Sequence, residues 1–200
     1  TNKEKVLDNE FVMSPKDICT IGFLKDFLDA GISSLKIEGR GRSPEYVARV
    51  IRAYHQAIDS INNNTYTLKK VRAWEKELKT VYNRGMSDGY YLGKPLHEWS
   101  ASGNSQATEK KLFAGVVTHY FSKAKIAEIE LQAYGIKIGD NFSITGPNTG
   151  VIFGKIKKLR LGDESEAEQA KPKQLITIPM ETIVKKNDKL YIIETRKVFD

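Results

Sequence analysis

With 200 residues, 40% of them hydrophobic and 28% charged, the chain has the composition of a globular protein of one or two domains. Its single cysteine, Cys19, excludes an internal disulfide framework and any all-cysteine zinc or iron–sulfur site built by this chain alone, which favours a reducing, cytoplasmic setting. The apolar runs are too short to span a membrane, so no membrane partner is expected, and the net charge of +7 allows an acidic partner.

The first half of the chain has the apolar periodicity of helices. An amphipathic helix is predicted over 15–31, and a short apolar strand over 32–38 follows it. Two more helices are predicted over about 44–61 and 69–82, because apolar residues recur there at spacings of three and four. A loop punctuated by glycines, 83–93, ends this half.

The second half loses the helical period. Residues 100–111 are small and polar, which is typical of a linker. Short alternating runs separated by turn signals then predict a small all-β barrel or sandwich, with a charged loop over 162–173. The predicted strands are Leu112–Tyr120, Lys125–Leu131, Asp140–Thr145, Val151–Leu161, Gln174–Ile178 and Leu190–Glu194.

Three charged residues lie at or just beyond the end of the predicted strand 32–38. Glu38, Arg40 and Arg42 lie between the end of that strand and a helix start marked by Ser43 and Pro44. This is where α/β proteins place binding and catalytic groups, and a carboxylate beside guanidinium groups could orient a substrate, move a proton or bind an oxyanion. The alternative is a charged surface loop with a Glu–Arg pair.

The loop after the third helix offers a second candidate site. Arg84 lies near Tyr90 and Tyr91 in a segment that contains several glycines. Exposed aromatic rings beside an arginine can stack bases or hold a phosphate. The alternative interpretation is that both tyrosines pack beneath the loop while the glycines form its turns.

A basic segment in the second half is a candidate RNA-binding surface. The alternative is a set of solvated lysines on exposed strands. The three histidines of the chain show no metal-ligand spacing, so no metal site is predicted. The basic residues are Lys155, Lys157, Lys158 and Arg160.

Three parts of the chain closely resemble peptidase family U32, the collagenase-like proteases. Residues 14–59, SPKDICTIGFLKDFLDAGISSLKIEGRGRSPEYVARVIRAYHQAID, resemble the C-terminal section of its catalytic region, and residues 83–95, NRGMSDGYYLGKP, also match. Residues 112–195 resemble its C-terminal β-barrel domain, which is similar to the second domain of elongation factor Tu. The heptad SLKIEGR at 34–40 is the most specific element.

This resemblance implies an α+β fold. The expected architecture is a C-terminal βα remnant of a TIM-like barrel, made of helices and one strand, followed by the small all-β barrel. The boundaries that follow are 1–99 for the catalytic-region part, 100–111 for the linker and 112–200 for the β-barrel domain.

The family's activities imply two enzymatic functions. Several members resemble RNA hydroxylation enzymes, so the chain is expected to be the C-terminal part of an enzyme that hydroxylates a tRNA uridine, with the β barrel docking tRNA or other RNA. In that case Glu38 and Arg40, which carry over from the signature, would be catalytic, while Arg42, Arg84 and Tyr90 would bind substrate or phosphate. The alternatives are a collagenase-like peptidase and a non-enzymatic protein-interaction or dimerisation module.

The resemblance also implies an iron–sulfur cluster held by four cysteines, which the family places upstream of residue 1. The chain itself is therefore expected to hold no cofactor and, in isolation, to be inactive. A single strand at 32–38 cannot close a barrel. It is expected to find a partner, so that the N-terminal half self-associates into a homo-oligomer or packs against the β domain.

Overall fold

The computed structural model of the chain describes residues 14–93, 98–100 and 103–196. Backbone contacts divide it into two compact units, the first ending at Thr108 and the second beginning at Glu109. Part of the predicted linker, 101–102, and the end of the similar segment 83–95 lie outside the described residues. In the described part of the chain, no helix combines the length and the apolar character needed to cross a membrane.

The described part of the first unit contains three α-helices and a two-stranded parallel sheet. Its core forms where one face of each helix packs around the buried side chains of Ile21, Leu24 and Trp74. A 3₁₀ turn, Ile21–Phe23, precedes the first helix. The elements are β1 (Asp17–Ile18), α1 (Leu24–Asp29), α2 (Pro44–Asn62), α3 (Leu68–Leu78) and β2 (Met86–Ser87).

The prediction of a helix after Pro44 is confirmed. The Ser43 hydroxyl accepts a hydrogen bond from the backbone N–H of Tyr46 at 3.3 Å, so the predicted cap forms. The predicted apolar stripe is the buried face, where Val50, Ala53 and Ala57 enter the core. The third helix has its own cap and ends at Leu78, before the predicted boundary.

The prediction of one helix over 15–31 is wrong in its first half. Asp17 and Ile18 form β1, which pairs in parallel with β2, and α1 begins at Leu24. The backbone N–H of Asp17 donates to the carbonyl oxygen of Gly85, and that of Cys19 donates to Ser87, both at 2.9 Å. These hydrogen bonds to a segment distant in sequence outweigh a helical period that only local residues supply.

The predicted strand over 32–38 has no regular secondary structure and belongs to no sheet of the described residues. Leu35 and Ile37 are half-buried while the residues between them are exposed, so the alternation expected of a strand is present. Among the described residues, the segment's backbone link outside itself is the donation from Ile32 to the carbonyl oxygen of Phe27, at 3.3 Å. A strand requires a neighbouring ladder, and the described part of the first unit supplies none here.

The second unit is a seven-stranded antiparallel sheet in the order β7-β6-β11-β3-β4-β10-β8, accompanied by the small pair β5-β9. The fold therefore combines helices with one large antiparallel sheet, as the α+β class requires. The strands are β3 (Glu109–Phe121), β4 (Ile126–Leu131), β5 (Ile136–Lys137), β6 (Asn141–Gly146), β7 (Gly150–Lys155), β8 (Arg160–Leu161), β9 (Gln169–Ala170), β10 (Leu175–Pro179) and β11 (Lys189–Thr195).

Two boundaries differ from the predicted strands. β3 begins at Glu109, inside the segment predicted as linker, because Lys110 and Lys111 pair with β11. The strand predicted over 151–161 is interrupted between β7 and β8, where the side chains of Ile156 and Leu159 turn into the core. Each buried side chain offsets the lost ladder hydrogen bonds by removing apolar surface from water.

A buried carboxylate fixes the loop between β6 and β7. Asp188 accepts hydrogen bonds from the hydroxyl of Thr149 and from the backbone N–H of Lys185, the latter at 2.8 Å. The residue is only 1% exposed, so both interactions are shielded from water. They hold the loop against the start of β11 and rigidify this end of the sheet.

Candidate functional site

Asp17 is the centre of the charged cluster in the first unit. Its carboxylate accepts a hydrogen bond from the Arg42 guanidinium at 2.7 Å and another from the backbone N–H of Arg84, also at 2.7 Å. The Arg84 guanidinium lies 3.9 Å from the same carboxylate. Because the Arg42 and Asp17 side chains are only 15% and 21% exposed, water screens this pair weakly.

Two aromatic rings hold the Arg42 guanidinium. Its central carbon lies 4.2 Å from the ring centre of Tyr82 and 5.3 Å from that of Tyr46. These distances allow cation–π attraction to both rings. Arg42 also closes a turn, since its N–H donates to Gly39 at 3.0 Å while Gly41 adopts a positive φ of 72°. The turn therefore directs Arg42 toward β1.

Glu38 and Arg40 do not form the ion pair that their charges suggest. The Glu38 carboxylate accepts a hydrogen bond from the backbone N–H of Arg40 at 2.6 Å, which makes it a local cap on the turn. The Arg40 side chain is exposed. The structure therefore brings Glu38, Arg42 and Arg84 to the wall of one cavity, which Arg40 does not line.

These groups line a cavity of about 600 Å³ in the first unit. Four basic residues and two acidic residues contribute to its wall, which leaves an excess of two positive charges. The volume is that of a site for a small organic molecule or a nucleotide. Its charged lining residues are Lys16, Lys36, Arg42, Arg84, Asp17 and Glu38, and its apolar ones include Leu35, Ile37, Val50, Leu78 and Met86.

Tyr90, the predicted stacking residue, is 77% exposed and does not line this cavity. Its neighbour Tyr91 does, with its ring 4.8 Å from that of Phe27 in an edge-on arrangement. Successive residues of a loop point in different directions, and composition alone could not choose between the two tyrosines.

Cys19 and Tyr54 form a half-buried polar contact beside the cluster. Burial raises the pKa of the Cys19 thiol above its ordinary value, and the nearby charges of Glu75 and Asp88 add to this effect. Burial also raises the pKa of Tyr54 to about 12. The Tyr54 hydroxyl accepts a hydrogen bond from the backbone N–H of Thr20 at 3.0 Å. Neither side chain is activated as a nucleophile or base near neutral pH.

We expect the raised pKa of Cys19 to appear as slow alkylation. A higher pKa in the folded state leaves a smaller thiolate fraction at any given pH, so the rate of reaction with iodoacetamide should rise at higher pH in the native chain than in the urea-unfolded chain. Cys19 is the chain's one thiol, so the labelling rate reports on it alone. If the pH midpoint of the alkylation rate in the native chain is at or below that in the unfolded chain, the native structure does not raise the pKa of Cys19.

The chain's own residues do not fit an iron–sulfur cluster. Such clusters take thiolate ligands from about four cysteines, and the full sequence contains only Cys19. The described residues also contain no group of three or more His, Cys, Asp or Glu side chains that could hold a metal ion.

The four basic residues predicted to bind RNA lie on one short segment of the second unit, 155–160. The two other residues of this segment, Ile156 and Leu159, are each 2% exposed and pack into the core of the sheet. The lysines make no ion pair with a described residue, while Arg160 lies 3.5 Å from Glu166. The exposed members of this basic segment are Lys155, Lys157, Lys158 and Arg160.

Asp17 is the residue that the sequence-based prediction missed. It falls inside a segment predicted as helix, where a lone aspartate has no reason to face Arg42 or Arg84. The signal that could have found it is the parallel pairing of β1 with β2, because that pairing sets Asp17 beside the loop that carries Arg84. Pairing between distant two-residue strands leaves almost no trace in local composition.

Comparison with known proteins relates the chain to one family. The sequence profile of peptidase family U32 matches residues 1–101. A collagenase of Porphyromonas gingivalis is 43% identical over 96% of this chain and 46% of its own length. A tRNA hydroxylation protein of Bacillus subtilis is 28% identical over 87% of this chain and 41% of its own length. The chain thus spans about half the length of these curated relatives.

Among solved structures, the C-terminal domain of a protein from Geobacillus thermoleovorans described as a U32 peptidase is similar to this chain. The match covers 42% of this chain and 92% of that domain, with 21% sequence identity and a TM-score of 0.37.

Proposed function

Since this chain belongs to peptidase family U32, we propose that it is the C-terminal, RNA-docking part of an RNA-modifying enzyme that hydroxylates a tRNA uridine. The observation that carries this proposal is the similarity to a tRNA hydroxylation protein, which covers 87% of the chain and therefore includes residues of both units. The basic segment of the second unit supports it, because exposed lysines anchored by buried neighbours present fixed positive charge to a phosphate backbone.

In this proposal the first unit provides one wall of the substrate site. Its cavity has an excess of positive charge and contains Arg84, whose Nε is buried and has no hydrogen-bond partner among the residues that the structure describes. A buried donor without a partner favours an anionic group of a ligand at that position. Arg42 and Arg84 would bind that group, while Asp17 positions both. Glu38, which lines the cavity, would act in catalysis within the complete enzyme.

We further propose that the first unit corresponds to the C-terminal βα part of a TIM-like barrel and the second to a barrel like domain 2 of elongation factor Tu. The parallel pairing of β1 with β2 and the helices between them support the first correspondence, since parallel strands need crossover connections. The chain alone would be inactive, because it cannot supply four cysteine ligands. Turnover of unmodified tRNA by the purified chain would contradict this.

Salt dependence tests the docking function. We expect tRNA to bind the chain with an affinity that falls steeply as salt rises. If each lysine contacts one phosphate, K155A/K157A/K158A should lower the slope of log affinity against log salt by about 2 to 3. The matched control is K69A/K76A/K79A, which removes the same charge from exposed positions of the first unit. Equal slopes for wild type and both variants would refute docking through the basic segment.

A collagenase-like peptidase is the second candidate, and one observation favours it. The collagenase of Porphyromonas gingivalis has the higher identity, 43%, and matches 96% of the chain. Cells that lack the full-length gene distinguish the two candidate functions. Loss of a hydroxylated nucleoside from total RNA, measured by mass spectrometry, supports the hydroxylase, whereas unchanged RNA with lost cleavage of a collagen-like peptide supports the peptidase.

A further inference from the structure

One face of the large sheet contains an aromatic row that the core does not use. Phe113 on β3 is in register with Tyr191 on β11, Tyr191 with Ser143 on β6, and Ser143 with Phe153 on β7. Residues in register on neighbouring strands project to the same face of a sheet. Phe113, Tyr191 and Phe153 therefore form one row across four strands, which we call the aromatic row.

The aromatic row lies on the side of the sheet opposite the hydrophobic core. The residues on either side of Tyr191 along β11, Leu190 and Ile192, are fully buried and belong to the core, whereas none of the three aromatic residues does. All three side chains are half-buried. The rings of Phe113 and Tyr191 are 5.7 Å apart, edge to face, so the row is a preformed apolar surface.

Lysines flank the aromatic row on both sides. Lys111 and Lys155 belong to one neighbouring register row, and Lys189 belongs to the other. All three are exposed, and the Lys111 ammonium lies 4.3 Å from the centre of the Tyr191 ring. Across the four strands of the aromatic row, these two flanking rows contain no acidic residue. The carboxylates of this face lie beyond them, with Glu109 at the start of β3 and Glu128 and Glu130 on β4.

We infer that the aromatic row is a stacking platform for unpaired nucleotides of an RNA, with Lys111, Lys155 and Lys189 holding the phosphates on either side. Aromatic rings on a sheet stack bases whose faces are free, whereas bases in a duplex are covered by their neighbours. Four strands spaced about 4.8 Å apart give a row roughly 14 Å long, enough for two or three splayed bases.

This inference rests on the proposed RNA-docking function and makes it more specific. Lys155 belongs both to the basic segment and to this face, so the two surfaces are continuous along β7. The aromatic row would select single-stranded RNA, whereas the basic segment by itself would bind any phosphate backbone.

The test compares a labelled single-stranded RNA of roughly 10 nucleotides with the same sequence in a duplex, by fluorescence polarisation with the full chain. We expect tighter binding of the single strand. Y191L and F113L retain apolar volume but lose the ring, so each should weaken that binding by about fivefold to a hundredfold, while Y191W should restore it. The control is F121L, which alters an exposed phenylalanine of the same strand outside the row.

The possible results distinguish the stacking platform from RNA docking in general. Salt-dependent binding that is equal for single strand and duplex, and unchanged in Y191L, overturns the stacking platform but leaves RNA docking intact. No binding of either RNA overturns both. Self-association of the wild-type chain that Y191L abolishes, without RNA binding, assigns the face to a second copy and also overturns the inference. Circular dichroism of each variant confirms that the sheet is folded.

Discussion

Replacing Gly115 with alanine is expected to unfold the second unit at a temperature more than about 10 °C below that of the wild-type chain. A Cβ at this position would lie 2.1 Å from the carbonyl oxygen of Glu130 and 2.9 Å from the Cα of Leu131. Both contacts are with the backbone of β4, so no side-chain rotation can relieve them. Separating β3 from β4 should cost about 3 kcal/mol or more.

The matched control for this prediction is Gly162→Ala. A Cβ at Gly162 would meet Leu175 at 3.5 Å, which is ordinary van der Waals contact, so its unfolding temperature should stay near that of the wild type. Thermal unfolding followed by far-ultraviolet circular dichroism measures both. Equal transitions for the two variants would show that β3 and β4 are not packed as closely at Gly115 as the structure has them.

Replacing Asp17 with alanine is expected to destabilise the first unit by about 2 kcal/mol. The substitution removes the acceptor from Arg42 and from the backbone N–H of Arg84, and it leaves a largely buried guanidinium without its counter-charge. Urea unfolding followed by tryptophan fluorescence reports on this unit, because Trp74 and Trp99 both precede Thr108.

Two further variants give the Asp17 prediction its controls. Asp29→Ala breaks an exposed ion pair with Lys25 and should leave unfolding unchanged. The double variant D17A/R42A removes both charges, so it should be more stable than the sum of the two single effects predicts. If the losses in unfolding free energy of the two single variants simply add in the double variant, Asp17 and Arg42 do not interact. Asp17 would then not hold Arg42 in the cavity.

Local signals were enough to predict the elements that local interactions stabilise. Helix α2 has its cap at Ser43, a proline at its first position and an apolar stripe within one segment, so the sequence contains every cause of the helix. The short strands of the second unit show the alternation that one buried face imposes. In both cases the residues that stabilise the element are the same local residues from which it is predicted.

Elements that depend on distant partners could not be predicted in the same way. The segment 32–38 has the composition of a strand, but a strand forms only where another offers its backbone, and its self-association stays a prediction. β1 is the opposite case. Its residues have a helical apolar period, but they form a strand because they pair with β2.

The candidate site was predicted in part for the same reason. Arg42 and Arg84 were identified from their residue type and loop context, and the structure brings them to one cavity. Asp17, which holds them together, could be recognised only from the fold. The aromatic row likewise joins residues of β3, β11 and β7 that are remote in sequence, and the register alone reveals it.

Ultraviolet cross-linking of tRNA to the full chain shows whether the second unit docks RNA. Peptides that carry cross-linked nucleotides are identified by mass spectrometry. We predict that they come from β7 with the adjoining basic segment and from β11, and that excess unlabelled tRNA removes the cross-links. Cross-links confined to residues 14–93, or no cross-links at low salt, would show that the second unit does not dock RNA.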